Sequence, residues 1–101
     1  MSQQFTQSYL SSLALSQEQI DSILDNLEAD PDYINDEEFP PILVIIESQV
    51  LDLKGFIIKH PGGPHAILQY TGKDATNAFN SMHSGRARQH AKQFIVGTIK
   101  E

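Results

Sequence analysis

From Gln17 onward the apolar positions fall three and four apart. Ile20, Ile23, Leu24 and Leu27 share one face of a helix, with polar residues between them. Ser16 with Gln19 fits the S-x-x-Q capping box, so the pattern predicts a helix that opens at Ser16 and ends near Glu28 or Ala29. The period then changes. "ILVIIESQVLDL", from Ile42 to Leu53, is an apolar run broken at Glu47-Ser48, which predicts a strand, a tight turn and a second short strand. A brief helix over Leu53 to Lys59 leads into the turn "HPGG" at 60–63. Pro64 suits the first turn of the next helix, where its missing N–H costs nothing, and that helix carries Ala66, Ile67 and Tyr70 before stopping at Thr71-Gly72. "KDATNAFNSM" predicts another short helix with Asp74 as its cap, "HSGRARQHAKQ" a loop running into a helix, and "FIVGTI" a closing strand. At the other end, "YLSSLAL" reads as a short edge strand and residues 1–8 as a mobile arm. The sum is a small α+β domain. Its second half forms two helical hairpins, each with a histidine at its connection, whose open mouths make a slot.

Length and composition act mainly by exclusion. A chain of 101 residues, 40% of them hydrophobic, makes one domain with a modest core, which a bound cofactor would stabilise. With no cysteine there are no disulfides, thiolate metal sites, iron–sulfur clusters or covalently attached c-type haem. The longest apolar run, Ile42 to Ile46, is far too short to cross a bilayer, and no basic-then-apolar leader opens the chain. The expectation is a soluble cytoplasmic monomer with no membrane anchor.

Charge divides the chain in two. Residues 1–52 hold 11 acidic side chains and no Lys or Arg; residues 53–101 hold all 7 Lys and Arg against Asp74 and Glu101, so −11 and +5 give the net −6. No basic stripe is interleaved with aromatics, which argues against nucleic acid as a partner. Seven of the acids fall between Asp25 and Glu38, and residues 28–41 read as an acidic loop insertion. The EF-hand spacing, with its central glycine and terminal glutamate, is absent there.

The candidates for chemistry are four histidines: His60, His65, His83 and His90. His65 falls on the outer surface of its helix, and His90, between Arg88 and Lys92, suits solvent or a local hydrogen bond. His60 and His83 differ in their surroundings. A Pro-Gly-Gly turn restrains the backbone after His60, and Gly62 within it allows close approach to a flat partner. Phe56, Ile67, Phe79 and Met82 place large apolar side chains near both imidazoles. Two imidazoles with no nearby carboxylate or third ligand make a poor zinc site. They suit a planar, mostly apolar cofactor with a metal at its centre, which is a haem.

"VLDLKGFIIKHPGG" from Val50 to Gly63, "GKDATNAF" from Gly72 to Phe79, then "MHS" and "QFIVGTI" together resemble the haem-binding domain of the cytochrome b5 family. The resemblance runs from Ile42 to Ile99 and is weaker over Leu15 to Asn26, where "LSQEQI" looks like the family's opening strand and capped helix. It implies a small mixed sheet with two helical hairpins cupping the cofactor. It implies His60 and His83 as the two axial ligands of a non-covalent haem b. Leu53, Phe56, Ala66, Ile67, Phe79 and Met82 match pocket walls, with Ile46 at the floor, and Ser84 sits where a haem propionate is bonded. Phe94, Ile95 and Val96 match a strand of the structural core behind the haem.

What the resemblance implies for function is single-electron transport, by outer-sphere transfer between a reductase donor and an unknown acceptor, with no catalysis of its own. Two other readings compete with it. One is a haem sensor, buffer or delivery module, and the other is an interaction module with a vestigial site. Three departures from the family's pattern bear on these. The step from Phe79 to His83 is one residue shorter than in the common microsomal form. Leu43 replaces an aromatic before the strand. The rim positions that are commonly acidic are Pro64, His65, Gln69 and Ser81, with Lys59, Arg86 and Arg88 nearby. Either the partner face is not acidic, or the Asp25–Glu38 loop restores negative potential there.

Overall fold

Burial on both sides of the run from Ile42 to Ile46 follows from its place in the sheet. The structure is a computed structural model and describes residues 3–57, 63–82 and 85–100, with the backbone alone for Met82 and Arg88. Strand β1 (Gln3–Thr6), helix α1 (Gln7–Ser12) and helix α2 (Gln17–Ala29) come first, followed by a 3-10 turn at Tyr33–Asn35. The hairpin β2 (Leu43–Ile46) and β3 (Gln49–Asp52) precedes helices α3 (Pro64–Leu68), α4 (Thr76–Met82) and α5 (Gly85–Ala91). A 3-10 turn at Lys92–Phe94 leads to β4 (Ile95–Lys100). The sheet order is β1-β4-β3-β2, with β1 parallel to β4 and the other pairs antiparallel.

Alternation along β2 sorts its side chains into two cores. Ile42 and Val44 pack with Ile57, Ile67 and Leu68, while Leu43 and Ile45 pack on the other side with Phe5, Leu10 and Val50. The far edge of β2 is not left bare. Gly72 donates its N–H to Leu43 O at 2.6 Å, Ile45 donates to Lys73 O and Ala75 donates to Ile45 O, so residues 72–75 satisfy that edge. At the hairpin tip Glu47 (φ 52°) and Ser48 (φ 67°) both adopt the left-handed conformation of a type I′ turn, the turn whose twist suits paired strands.

Helix α2 bears out its sequence pattern. Both bonds of the capping box are present, Gln19 N–H to Ser16 Oγ at 3.1 Å and Ser16 N–H to Gln19 Oε1 at 2.8 Å. Ile20, Ile23 and Leu27 are buried in the core that also holds Ile67 and Leu68. Asp74 Oδ1 accepts the Thr76 N–H at 2.8 Å just ahead of α4.

The N-terminal segment differs from its sequence reading. Residues 3–6, expected within a mobile arm, pair with β4 from Gln3↔Gly97 to Thr6↔Lys100, and Phe5 is buried. "YLSSLAL" is helical over its first four residues rather than an edge strand. Thr6 caps α1 by accepting the Tyr9 N–H at 3.1 Å, and Leu10 is fully buried. "LSQEQI" holds no strand, although the capped helix expected there is present.

Two further segments are tighter than expected. Leu53–Phe56 is a turn, because Asp52 Oδ1 captures the Lys54 N–H and Phe56 bonds back to Leu53 O, and Ile57 is in 3-10 helix; the rest of the expected helix, residues 58 and 59, lies outside the described residues. Helix α3 stops at Leu68. Tyr70 and Thr71 then bond three residues back, so the chain tightens toward Gly72 (φ 75°) and its bond to Leu43. An added Cβ at Gly72 would collide with the carbonyl oxygen of Leu10, so α1 lies directly against this turn. No described helix is long and apolar enough to cross a membrane.

Candidate functional site

The expected pocket walls come from four elements. Ile46, at the end of β2, is half-buried, and the turn after β3 supplies Leu53 and Phe56, also half-buried. That turn is fixed by Leu53 N–H bonding to Ile42 O at 2.9 Å. Helix α3 contributes Ala66, half-buried, and Ile67, buried; α4 contributes half-buried Phe79. Ile46, Leu53 and Phe56, with Tyr70, pack against the core that contains Ile67. Ile46 and Phe79 share a cavity of about 360 Å³ between the hairpin and α4–α5, floored also by Leu51 and Ile95 and rimmed by Glu47 and Lys92.

His60, Gly62, His83 and Ser84 lie outside the described residues, as does the side chain of Met82. The residues beside them are placed. Ile57 is fully buried before the His60 turn, and Gly63 (φ 87°, ψ 163°) follows it in a conformation open in practice to glycine alone. Pro64 occupies the first turn of α3. On the other side α4 ends at Met82 and α5 begins at Gly85.

One residue expected behind the site is placed elsewhere, and one gains ring contacts beyond those expected. Phe94, expected in the strand behind the pocket, lies in the 3-10 turn before β4, its ring 5.1 Å from that of Phe56. His90 completes a three-ring cluster, 5.4 Å from Phe56 and 5.6 Å from Phe94 between ring centres. It is also exposed and makes the local hydrogen bond expected of it, with Gln93. The signal was the spacing of His90 and Phe94, four residues apart at the end of a helix.

Around this site the rim positions His65, Gln69 and Ser81 are exposed and uncharged or weakly basic, and Arg86 and Lys92 are exposed beyond them. The acidic segment is pinned from behind. Lys54 Nζ donates to Asp36 O at 2.8 Å and Phe39 O at 2.7 Å and lies 5.5 Å from the centre of the Phe39 ring. Asn35 and Glu37 share a surface groove with Gln93 and Phe94, which brings the acidic loop alongside the aromatic cluster.

Apolar side chains held half-exposed around a crevice suit a cofactor that is flat and largely apolar. The comparisons with known proteins name one. The profile of the "Cytochrome b5-like Heme/Steroid binding domain" matches residues 32–100. Cytochrome b5 of Rhizopus stolonifer is 37% identical over 59 residues, 57% of this chain and 45% of that protein. The nitrate reductase [NADH] of Chlorella vulgaris is 35% identical over 57 residues, 56% of this chain but 18% of the enzyme. Among solved structures, cytochrome b5 of Ostreococcus tauri virus 2 aligns with a TM-score of 0.56 and 33% identity, over 72% of this chain and 92% of that one. The chain spans under half the length of the cytochromes b5 it matches first. Helix α2 lies outside the matched range, yet its buried face completes the core behind α3. The family's cofactor is a non-covalently held b-type haem, and the described walls fit it. This chain belongs to the cytochrome b5 family.

Proposed function

We propose that the protein carries single electrons through a haem whose iron is held by His60 and His83, and that it takes them from a reductase and gives them to a separate acceptor. What supports this reading is that Ile46, Leu53 and Phe56 lie half-buried against the core that holds Ile67, that Ile46 and Phe79 line one cavity, and that in sequence His60 comes just before α3 and His83 just after α4. When bound, the haem supplies a one-electron couple. The chain's part is to hold and shield it. His60 and His83, as neutral imidazoles, would hold the iron and leave no place on it for oxygen or peroxide, and two histidines would give a lower potential than a Met/His pair. Apolar walls exclude water from the faces of the ring, and rigid ligation in both redox states keeps reorganisation small, which favours outer-sphere transfer. Gly62 and Gly63 would let the backbone come close to the ring, Ala66 would leave room for it, Met82 would supply apolar packing, and Ser84 would bond a propionate.

The test is the optical spectrum of the protein reconstituted with haemin, oxidised, reduced and then exposed to carbon monoxide. The expected result is a sharp low-spin spectrum indifferent to carbon monoxide, lost in His60→Ala and in His83→Ala. A high-spin or carbon monoxide-sensitive native spectrum would sink bis-histidine ligation and move haem sensing or delivery to the front. Protein that stays colourless with added haemin would favour an interaction module.

A further inference from the structure

The imidazole of His90 is held in one tautomer. Gln93 Nε2 lies 3.0 Å from the His90 carbonyl oxygen and 3.0 Å from His90 Nδ1. The carbonyl can only accept, which fixes that end of the Gln93 side chain as the amide NH₂. Its second hydrogen then points at Nδ1, so Nδ1 accepts and the ring proton sits on Nε2. Phe56 packs tilted and Phe94 edge-on against the ring, and Nε2–H has no hydrogen-bond partner among the described residues although the residue is exposed. A fixed donor is thus presented beside a pocket wall. From Gly85 to Phe94 the chain has Arg86, Arg88 and Lys92 and no acid, which favours an anionic acceptor on that side, while Glu37 and Asp52 line the separate groove they share with Gln93 and Phe94.

We infer that His90, set by Gln93, is a cofactor-positioning residue whose Nε2–H pairs with a propionate carboxylate of the haem. This rests on the haem reading above. The carboxylates are the only anionic groups of that cofactor and remain at the solvent edge of an apolar crevice, where an exposed donor can meet them. The pair adds a second polar anchor to the one expected at Ser84.

Two measurements test it. Nitrogen NMR of the apoprotein reads the tautomer directly. The expected signal is an unprotonated Nδ1 at His90 that loses this signature in Gln93→Leu; a protonated Nδ1 in the native chain overturns the inference. Haem transfer to apomyoglobin, followed optically, reads the pairing. With haemin, His90→Leu is expected to lose its cofactor about ten- to a hundredfold faster than the native chain, the scale of one hydrogen bond to a charged group. His90→Gln, which keeps a donor, should recover part of the difference. With haemin dimethyl ester, whose carboxylates are blocked, the native and His90→Leu rates should coincide. A His90→Leu effect of the same size with both cofactors, or none with either, overturns the pairing and leaves a packing or partner-docking role. Failure of the native chain to form a low-spin complex at all would instead count against the haem reading, and the tautomer measurement would still stand.

Discussion

Lys54 ties the acidic segment to the turn after β3, and replacing it by methionine tests that role. The side chain is half-buried, its two hydrogen bonds end on the carbonyls of Asp36 and Phe39, and its ammonium lies over the Phe39 ring. A hydrogen bond from a charged donor contributes about 1.5–3 kcal/mol net. The Asp36 carbonyl is exposed and regains water, so its bond contributes little; the Phe39 bond is partly buried and counts nearly in full. The ring contact adds roughly 0.5 kcal/mol, and methionine keeps the packing of the stem. The expected loss for Lys54→Met is therefore about 2 kcal/mol, or about 10 °C in Tm for a domain of this size. Urea unfolding of the apoprotein measures it, with an unchanged m-value as the sign that only stability has moved. Amide exchange of Glu37, Glu38 and Phe39 should quicken in the variant, and Lys54→Arg should retain most of the stability. A loss below about 0.5 kcal/mol would refute the reasoning, because it would place the weight of that loop on Ile34 and Phe39 packing instead.

Three other substitutions probe the scaffold. Gly72→Ala combines a left-handed backbone with a collision at the Leu10 carbonyl, and calorimetry should find a loss of about 2–4 kcal/mol. Ile23→Ala empties a buried position on α2 and should cost about 2–4 kcal/mol in denaturant unfolding; a cost under about 1 kcal/mol would mean that α2 is only loosely attached. Ser48→Gly relieves a non-glycine residue at φ 67° in the hairpin tip and should stabilise by about 0.5–1 kcal/mol, seen as a higher Tm.

What the sequence disclosed depended on how local each signal was. The α2 capping box and the β2–β3 hairpin rest on residues within four positions of one another, and both are found where the pattern put them. Strand β1 was illegible for the opposite reason. "QQFT" has one apolar residue, and it is a strand because β4, more than ninety residues away in sequence, offers an unpaired edge. In α1 a run too short to show its period was read as a strand, although Thr6 carried the cap that decides for a helix. The apolar walls of the site were legible as members of a known motif. The contact of Phe56 with His90 was not, since it joins a turn after β3 to the end of α5.

The parallel pairing of β1 with β4 has a mechanical consequence. Gln3 lies opposite Gly97 and Thr6 opposite Lys100, so the two chain ends leave the pair in opposite directions. Tension applied between Gln3 and Lys100 slides the strands past one another and loads all four residue pairs together. An antiparallel pairing of the same ends would open one rung at a time. Pulled by its termini, the molecule therefore resists as a clamp in shear, and Phe5 must be dragged from its core before the strand can slip.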